Sequence, residues 1–326
     1  MTNTLIAQAQ VQEIVGKMKA VKRPIRFLLV GRTGVGKSST INSLLGKKVA
    51  PVGKFEPTTM QIKKYSHTHG GYKYVVIDTP GLCDALPRQG NNKKYIEKIK
   101  AEIPEIDCVW FVTQLDETRV RSDEMEGIKV LTQALGPKIW ETAVIVFTRS
   151  DKLSKSHFAE HMRERPKLVR AEIGRYAGES ASKIPCVAVS NTSKSLPNGK
   201  QWLGELFTQS FLRFSDKGAI PFLDSMGKDL VVKKRSQKSR EASAKKKTTA
   251  KESTKEKAEK KPRIELDDRQ KKSIEKSLTT RLASALTKAA GGMAAGAKIG
   301  KVFGPKGATI GAAIGALIGF AEGFFN

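Results

Sequence analysis

The sequence has few cysteines, few acidic residues and no long apolar opening segment. Cys83, Cys108 and Cys186 are an odd, scattered set without metal-ligand spacing, which excludes a disulfide framework and a cysteine-rich zinc site. Cys108 and Cys186 fall in apolar, strand-like runs and read as small buried side chains in a reducing compartment. Residues 1–24 lack a continuous apolar core and a cleavage site, so no signal peptide is expected. Leu5, Ile6, Val11, Ile14, Val15 and Met18 instead fit an amphipathic helix. Acidic residues number 32 against 59 lysines and arginines, a net charge of +27 that implies an anionic partner, either nucleic acid or an acidic membrane face. Trp110, Trp140 and Trp202 are too dispersed for a base-stacking platform, which makes nucleic acid the lesser expectation.

Between about residues 24 and 213, short apolar runs alternate with longer amphipathic ones. The runs are Ile25–Val30, Tyr72–Ile77, Cys108–Val112, Ala143–Phe147 and Pro185–Val189, with helical patterns around 37–46, 91–103, 122–136, 157–178 and 201–213. Strands separated by helices predict an α/β, doubly wound, mostly parallel sheet with helices on both faces and function at the carboxyl ends of the strands. This domain is expected to cover residues 1–220. A Lys-rich run over 228–276 has almost no large apolar residue and predicts a disordered linker. Residues 279–326 form an Ala/Gly-rich tail with glycines at every fourth position from Gly292 to Gly304 and from Gly307 to Gly323, which predicts a helix.

"LLVGRTGVGKSST" places G-x-x-x-x-G-K-S directly after an apolar strand and at the opening of a helix. Gly31, Gly34 and Gly36 let backbone N–H groups converge on phosphate oxygens. Arg32, Thr33, Val35 and Ser39 belong to the same loop and first helical turn. Lys37 is expected to bridge β- and γ-phosphates as a catalytic residue, and the Ser38 hydroxyl to coordinate Mg²⁺. Downstream, "YVVIDTPGL" ends a strand at Asp78, expected to hold a water on Mg²⁺, with the Gly81 N–H sensing the γ-phosphate. A second metal contact is expected from "FEPTTMQ", with Thr59 preferred and Thr58 beside it. Leu82 stands where many GTPases carry a water-orienting glutamine, so isolated turnover should be slow. "HFAEH" matches an inverted zinc-peptidase pattern through His157 and His161, without a third acidic ligand in a suitable helix, and His67 and His69 read as exposed edge-strand residues.

"GVGKSSTINSLLG", "VVIDTPGL", "LDETRVRSDE", "ALGPKIWETAVIVFT" and "LPNGKQWLGEL" together resemble the septin-related (paraseptin) GTPases over residues 1–213. Within these the chain is most similar to the Toc receptor GTPases of the chloroplast outer envelope and next to the GIMAP GTPases. The Leu-Pro-Asn-Gly-x-x-Trp segment at 196–202 is the most Toc-like, whereas "EPTT" looks closer to Era-type GTPases. The resemblance implies that "TRSD" is the base loop in its GIMAP-like form. Asp151 would accept from guanine N1–H and N2–H₂, Arg149 would lie along the base, Thr148 would tie the loop, and Asn191 would sit near the base. GTP and GDP, rather than ATP, are therefore the expected ligands. "LDETRV" resembles the Toc segment whose arginine reaches across a GTPase-domain dimer, which implies a homodimer with Arg119 offered to the partner's nucleotide.

The tail leaves two readings. Residues 307–325 would span about 28 Å as a helix, near the thickness of a bilayer core, with Lys298, Lys301 and Lys306 at the near interface and an anionic membrane surface as partner. Alternatively, the glycines support a soluble, self-associating hairpin turned at Gly304-Pro305. The leading expectation is a membrane-tethered, cytosol-facing GTPase whose nucleotide state controls dimerisation. The alternatives are an Era-like assembly GTPase on RNA or the ribosome, and a GTP-bound scaffold.

Overall fold

A computed structural model of the chain describes residues 23–51, 62–79, 92–232 and 264–289, with Glu13 and Gly16. The elements run β1 (Ile25–Val30), α1 (Lys37–Leu45), β2 (Lys63–His69), β3 (Tyr72–Asp78), α2 (Asn92–Glu102), β4 (Cys108–Gln114) and α3 (Ser122–Leu135). They continue with β5 (Ala143–Thr148), α4 (Lys155–Ala177), β6 (Cys186–Ala188), α5 (Leu203–Arg213), α6 (Asp216–Met226), β7 (Leu230–Val232), β8 (Ile264–Leu266) and α7 (Asp268–Ala289). Six strands form one sheet in the order β2-β3-β1-β4-β5-β6. Every pairing in it is parallel except β2 with β3.

The pleat of β1 shows how the sheet separates two cores. Phe27 and Leu29 point to one face, with α1, α5 and α6, while Leu28 and Val30 point to the other, with α2, α3 and α4. The central strands β4 and β5 are buried along their whole length, which is why their sequences are continuous apolar runs without alternation. The edge strand β2 does alternate between half-buried and exposed residues. His69 is not an exposed edge residue, however: its Nε2 lies 2.6 Å from Asp229 Oδ2 and the side chain is mostly buried. Burial, with Lys47 and His69 nearby, lowers the pKa of His67.

The carboxyl-terminal boundary differs from the sequence expectation. The domain does not end at residue 220: α6 continues to Met226, capped by the Ser215 hydroxyl accepting from the Gly218 N–H, and leads into β7. Residues 264–276, expected to be linker, instead form β8 and the start of α7. Strand β8 pairs parallel with β7. Ile264, Leu266, Ile274, Leu278 and Leu282 are all at most 1% exposed and join the core on the α5 and α6 face. The physical reason is spacing. Ile274, Leu278 and Leu282 recur every four residues and make one narrow helical stripe, which an average over a Lys- and Glu-rich window conceals. At the entry to α7, Asp267 and Gln270 form a reciprocal cap: the Gln270 N–H donates to Asp267 Oδ1 at 2.8 Å and the Asp267 N–H to Gln270 Oε1 at 2.9 Å.

No helix among the described residues is long and apolar enough to cross a membrane. The expected amphipathic helix, apart from Glu13 and Gly16, and the tail beyond Ala289 lie outside the described residues, as does the part of the linker expectation between β7 and β8.

Candidate functional site

The loop from β1 to α1 turns on three glycines in the positive-φ region: Gly31 (147°), Gly34 (77°) and Gly36 (100°). At Gly31 space forbids any other residue, because a Cβ would lie 2.1 Å from the carbonyl oxygen of Val112. Gly36 caps α1 without a side-chain hydrogen bond, and the first turn holds no acidic residue, so the N–H groups of that turn are not screened by a local carboxylate. Lys37 is buried. Its Nζ donates to the carbonyls of Gly31 (2.8 Å) and Arg32 (3.0 Å) and lies 3.6 Å from Asp78 Oδ1. The pairing of β3 with β1 sets Asp78 beside Leu29, at the carboxyl end of the sheet, and so brings it to Lys37. Ser38, Ser39 and Thr33 stand on the same loop and turn.

The base loop reaches this phosphate loop through Thr148. Its buried hydroxyl lies 2.6 Å from the Val35 carbonyl, to which it donates, and 3.2 Å from that of Thr113. One side chain thus joins β5, β4 and the turn before α1. Arg149 is the only non-glycine residue with positive φ (58°) among the described residues. That conformation costs on the order of 1 kcal/mol and is found where a loop must be aimed. It starts the short 3₁₀ turn Ser150–Lys152, which presents Asp151 at the surface. Burial on its own raises the pKa of Asp151, yet hydrogen bonds from Thr192, from its own backbone N–H and from Ser190 outweigh it and hold the carboxyl below the usual range. The Thr192 hydroxyl donates to Asp151 Oδ2 at 2.8 Å.

Two expected contacts are placed differently. The side-chain amide of Asn191 turns back to the phosphate loop, 3.0 Å from Thr40 Oγ1 and 3.4 Å from the Gly36 carbonyl. Arg32 points away from the phosphate cradle: Nη1 lies 2.9 Å from Glu117 Oε1 and Nε 2.9 Å from Asp123 Oδ2. Both acids sit on the segment after β4 that also carries Arg119. Arg119 is exposed and makes no ion pair or hydrogen bond among the described residues. Gly81, Leu82, Thr58 and Thr59 lie outside the described residues, so the second metal contact and the γ-phosphate sensor have no geometry here. His157 and His161 do not converge: His157 Nδ1 meets Ser154 Oγ at 3.1 Å and His161 Nδ1 meets the Leu115 carbonyl at 2.7 Å.

Sequence reasoning missed a buried polar group behind this site. Arg165, 1% exposed on α4, lies 3.0 Å from Thr113 Oγ1 and 3.2 Å from Glu124 Oε2, with Glu117 Oε2 at 3.9 Å. Glu124 is equally buried and also bonds the Thr113 hydroxyl and the Arg121 N–H. Nothing in the local pattern distinguishes Arg165 from the solvated residues of a charged helix, except that Pro166 follows it. The donor chemistry of the site fits a magnesium-bound nucleotide. Ser38 and Asp78 offer the hard oxygen donors such a cation takes alongside phosphate, Lys37 supplies the positive charge, and the glycine cradle supplies N–H groups.

Residues 25–179 match the AIG1 family. Translocase of chloroplast 33 from Arabidopsis thaliana is 30% identical over 220 residues, covering 61% of this chain and 72% of that protein. Translocase of chloroplast 101 from Physcomitrium patens is 26% identical over 223 residues, 63% of this chain but only 24% of its own length, so the chain spans about a quarter of that larger protein. A crystal structure of Toc33 from Arabidopsis thaliana in complex with GDP and Mg²⁺ aligns at 27% identity and a TM-score of 0.46, covering 68% of this chain and 92% of that one. With one relative at this identity matched over most of its length, and the AIG1 match spanning β1 to the end of α4, the chain belongs to the AIG1 family.

Proposed function

We propose that the protein binds GTP and GDP with Mg²⁺ and hydrolyses GTP slowly, with the nucleotide seated between the loop 31–39 and the base loop 148–151. The observation that carries this reading is the Thr148 hydroxyl on the Val35 carbonyl, which holds the two loops at one helix N-terminus with Asp151 ionised. A carboxylate there accepts from the guanine N1–H and N2–H₂, and adenine has no matching donor pair. Lys37 and the α1 N-terminus neutralise phosphate charge, and Ser38 and Asp78 hold the cation, which supplies electrostatic stabilisation of the transferring phosphoryl group. Arg149 covers the base face, as the GIMAP-like form of the loop implies. With leucine at position 82, this chain has no glutamine there to orient water, so useful turnover needs a group supplied in trans.

Arg119 is our candidate for that group. An exposed arginine that makes no ion pair among the described residues, on the segment after β4, suits a two-fold G-domain dimer in which each copy offers Arg119 to the other's phosphates. In the chloroplast translocon components atToc33 and psToc159, dimerisation is important for the GTPase activity, and a chain from that work is 28% identical to this one. The net charge of +27 and the glycine-patterned tail support association with an anionic membrane surface. The deciding experiment is calorimetric titration with Mg–GDP, Mg–GTP and Mg–ATP. Guanine nucleotides should bind and ATP should not, and Lys37→Ala should abolish or greatly weaken binding. Normal affinity in that variant would mean the phosphate site is misassigned.

A further inference from the structure

Three arginines share two acids of the segment after β4, and a fourth, Arg119, is left over. Glu117 Oε1 is held by Arg32 at 2.9 Å and by Arg121 at 3.8 Å, while Glu117 Oε2 faces buried Arg165 at 3.9 Å. Asp123 Oδ2 is held by Arg32 at 2.9 Å, and Oδ1 accepts from the Glu124 N–H at 2.9 Å with Arg121 Nε at 4.0 Å. Both carboxylates that Arg32 holds, two residues before Arg119 and four after, are therefore turned inward, and Asp116 Oδ1 is buried as well. Arg32 belongs to the phosphate loop, only one residue past Gly31, so the same backbone that cradles phosphate holds this segment in place.

We infer that Arg32 is a positioning residue. By gripping Glu117 and Asp123 it docks the segment 115–123 onto the phosphate loop and keeps Arg119 outward, without an ion pair among the described residues. This rests on the nucleotide and dimer reading above for its functional consequence, but not for its geometry. Arg32 meets two carboxylates through different nitrogens: Nη1 donates to Glu117 Oε1 at 2.9 Å, and Nε forms an ion pair with Asp123 Oδ2 at 2.9 Å without hydrogen-bond alignment. All three side chains are largely shielded, at 21%, 17% and 28% exposure for Arg32, Glu117 and Asp123, so the attraction is less screened than at an open surface. Arg165 faces Glu117 from the interior at 3.9 Å and is itself bonded to Thr113, whose carbonyl lies 3.2 Å from the Thr148 hydroxyl. The phosphate loop, the base loop and the Arg119 segment therefore share one chain of contacts. Loss of the grip lets the segment drift, which withdraws Arg119 from a partner's phosphates.

The test uses full-length protein carrying Glu117→Gln together with Asp123→Asn, which keeps the shapes and removes the charges that Arg32 holds. Amide exchange over 115–121 should quicken by roughly fivefold or more, with β4 and β5 unchanged and Mg–GDP affinity within about twofold of wild type. Concentration-dependent single-turnover hydrolysis should fall to the level of Arg119→Ala, and Asp123→Glu, which retains the charge, should behave as wild type. Exchange over 115–121 that stays at the wild-type rate overturns the inference, whatever turnover does. Faster exchange with turnover still dependent on concentration overturns the claim that the grip serves Arg119. A wild type whose turnover ignores concentration counts against the dimer reading alone, and the exchange result then decides the grip.

Discussion

Replacing Gly204 by alanine should destabilise the protein, although helix propensity favours the opposite. Gly204 is the second residue of α5 and has ordinary helical backbone, so an alanine there is unstrained and in an isolated helix would stabilise by about 0.5–1 kcal/mol. The structure reverses the sign. A Cβ on Gly204 would lie 2.2 Å from the Glu265 carbonyl oxygen and 3.2 Å from Gln270 Oε1. The nearer atom is backbone, so β8 must retreat by about 1 Å, and it carries with it Leu266 and the Asp267–Gln270 cap that starts α7. Overpacking of a closed interior costs about 1–3 kcal/mol. Set against the propensity gain, the net loss is on the order of 1 kcal/mol, or a fall of about 2–4 °C in Tm for a domain of this size. Urea unfolding gives the free energy, and amide exchange over 274–282 reports whether α7 loosens. A variant that gains about 1 kcal/mol with unchanged exchange would refute the docking of β8 and α7 on α5.

Three further outcomes follow from other contacts. Arg165→Met leaves the Glu124 carboxylate, 1% exposed, without its cation, and should cost about 3–5 kcal/mol in urea unfolding; adding Glu124→Gln should recover most of the loss. The Asp151 carboxyl is held below the usual aspartate range, so the folded state favours its ionised form. Its contribution to stability and to guanine binding is present at neutral pH and is lost only as pH falls through the lowered folded value. Guanine preference measured by competition should therefore persist through the ordinary aspartate range, and Asp151→Asn should shift preference towards xanthine nucleotides, whose edge an amide complements. Full-length protein should float with anionic liposomes and a chain ending at residue 289 should not; if both stay soluble at low salt, the membrane reading is wrong.

The central strands were legible because they are buried, β4 and β5 along their whole length, whereas the edge strand β2, half-buried and exposed by turns, was not among the expected runs. Ile25–Val30, apolar apart from Arg26, and the unbroken run Ala143–Phe147 carry no helical periodicity, and the structure gives strands there that differ by at most one residue. The glycines of the phosphate loop were legible for a related reason, since a Cβ at Gly31 would lie 2.1 Å from a carbonyl oxygen and the turn tolerates no other residue. Side-chain direction was not legible. The bonding of Arg32 and Asn191 is decided by Glu117, Asp123 and Thr40, which are far away in sequence and close only after folding. The end of the domain was misjudged because α7 buries three residues in nine, Ile274, Leu278 and Leu282, among lysines and glutamates, and composition weighs the exposed majority. Arg165 was missed for the converse reason: a charged residue in a charged helix gives no sign that it points inward.

The docking of β8 and α7 changes what the basic run can be. Strands β7 and β8 are parallel neighbours, so residues 233–263 begin at the end of one strand and must return to the start of the next, at the opposite end of the small sheet. A connection of this kind is attached to the domain at both ends and is not a lead from the domain to the tail. Within it 14 lysines and arginines outnumber four acidic residues. The lead to the tail is α7 instead, and its apolar stripe is buried in the core of the domain. A tail that engaged a bilayer would therefore hold the domain through a packed helix rather than through a slack polymer. Lateral encounter between two domains would then depend on where α7 leaves the fold, and not on the reach of the lysine-rich run.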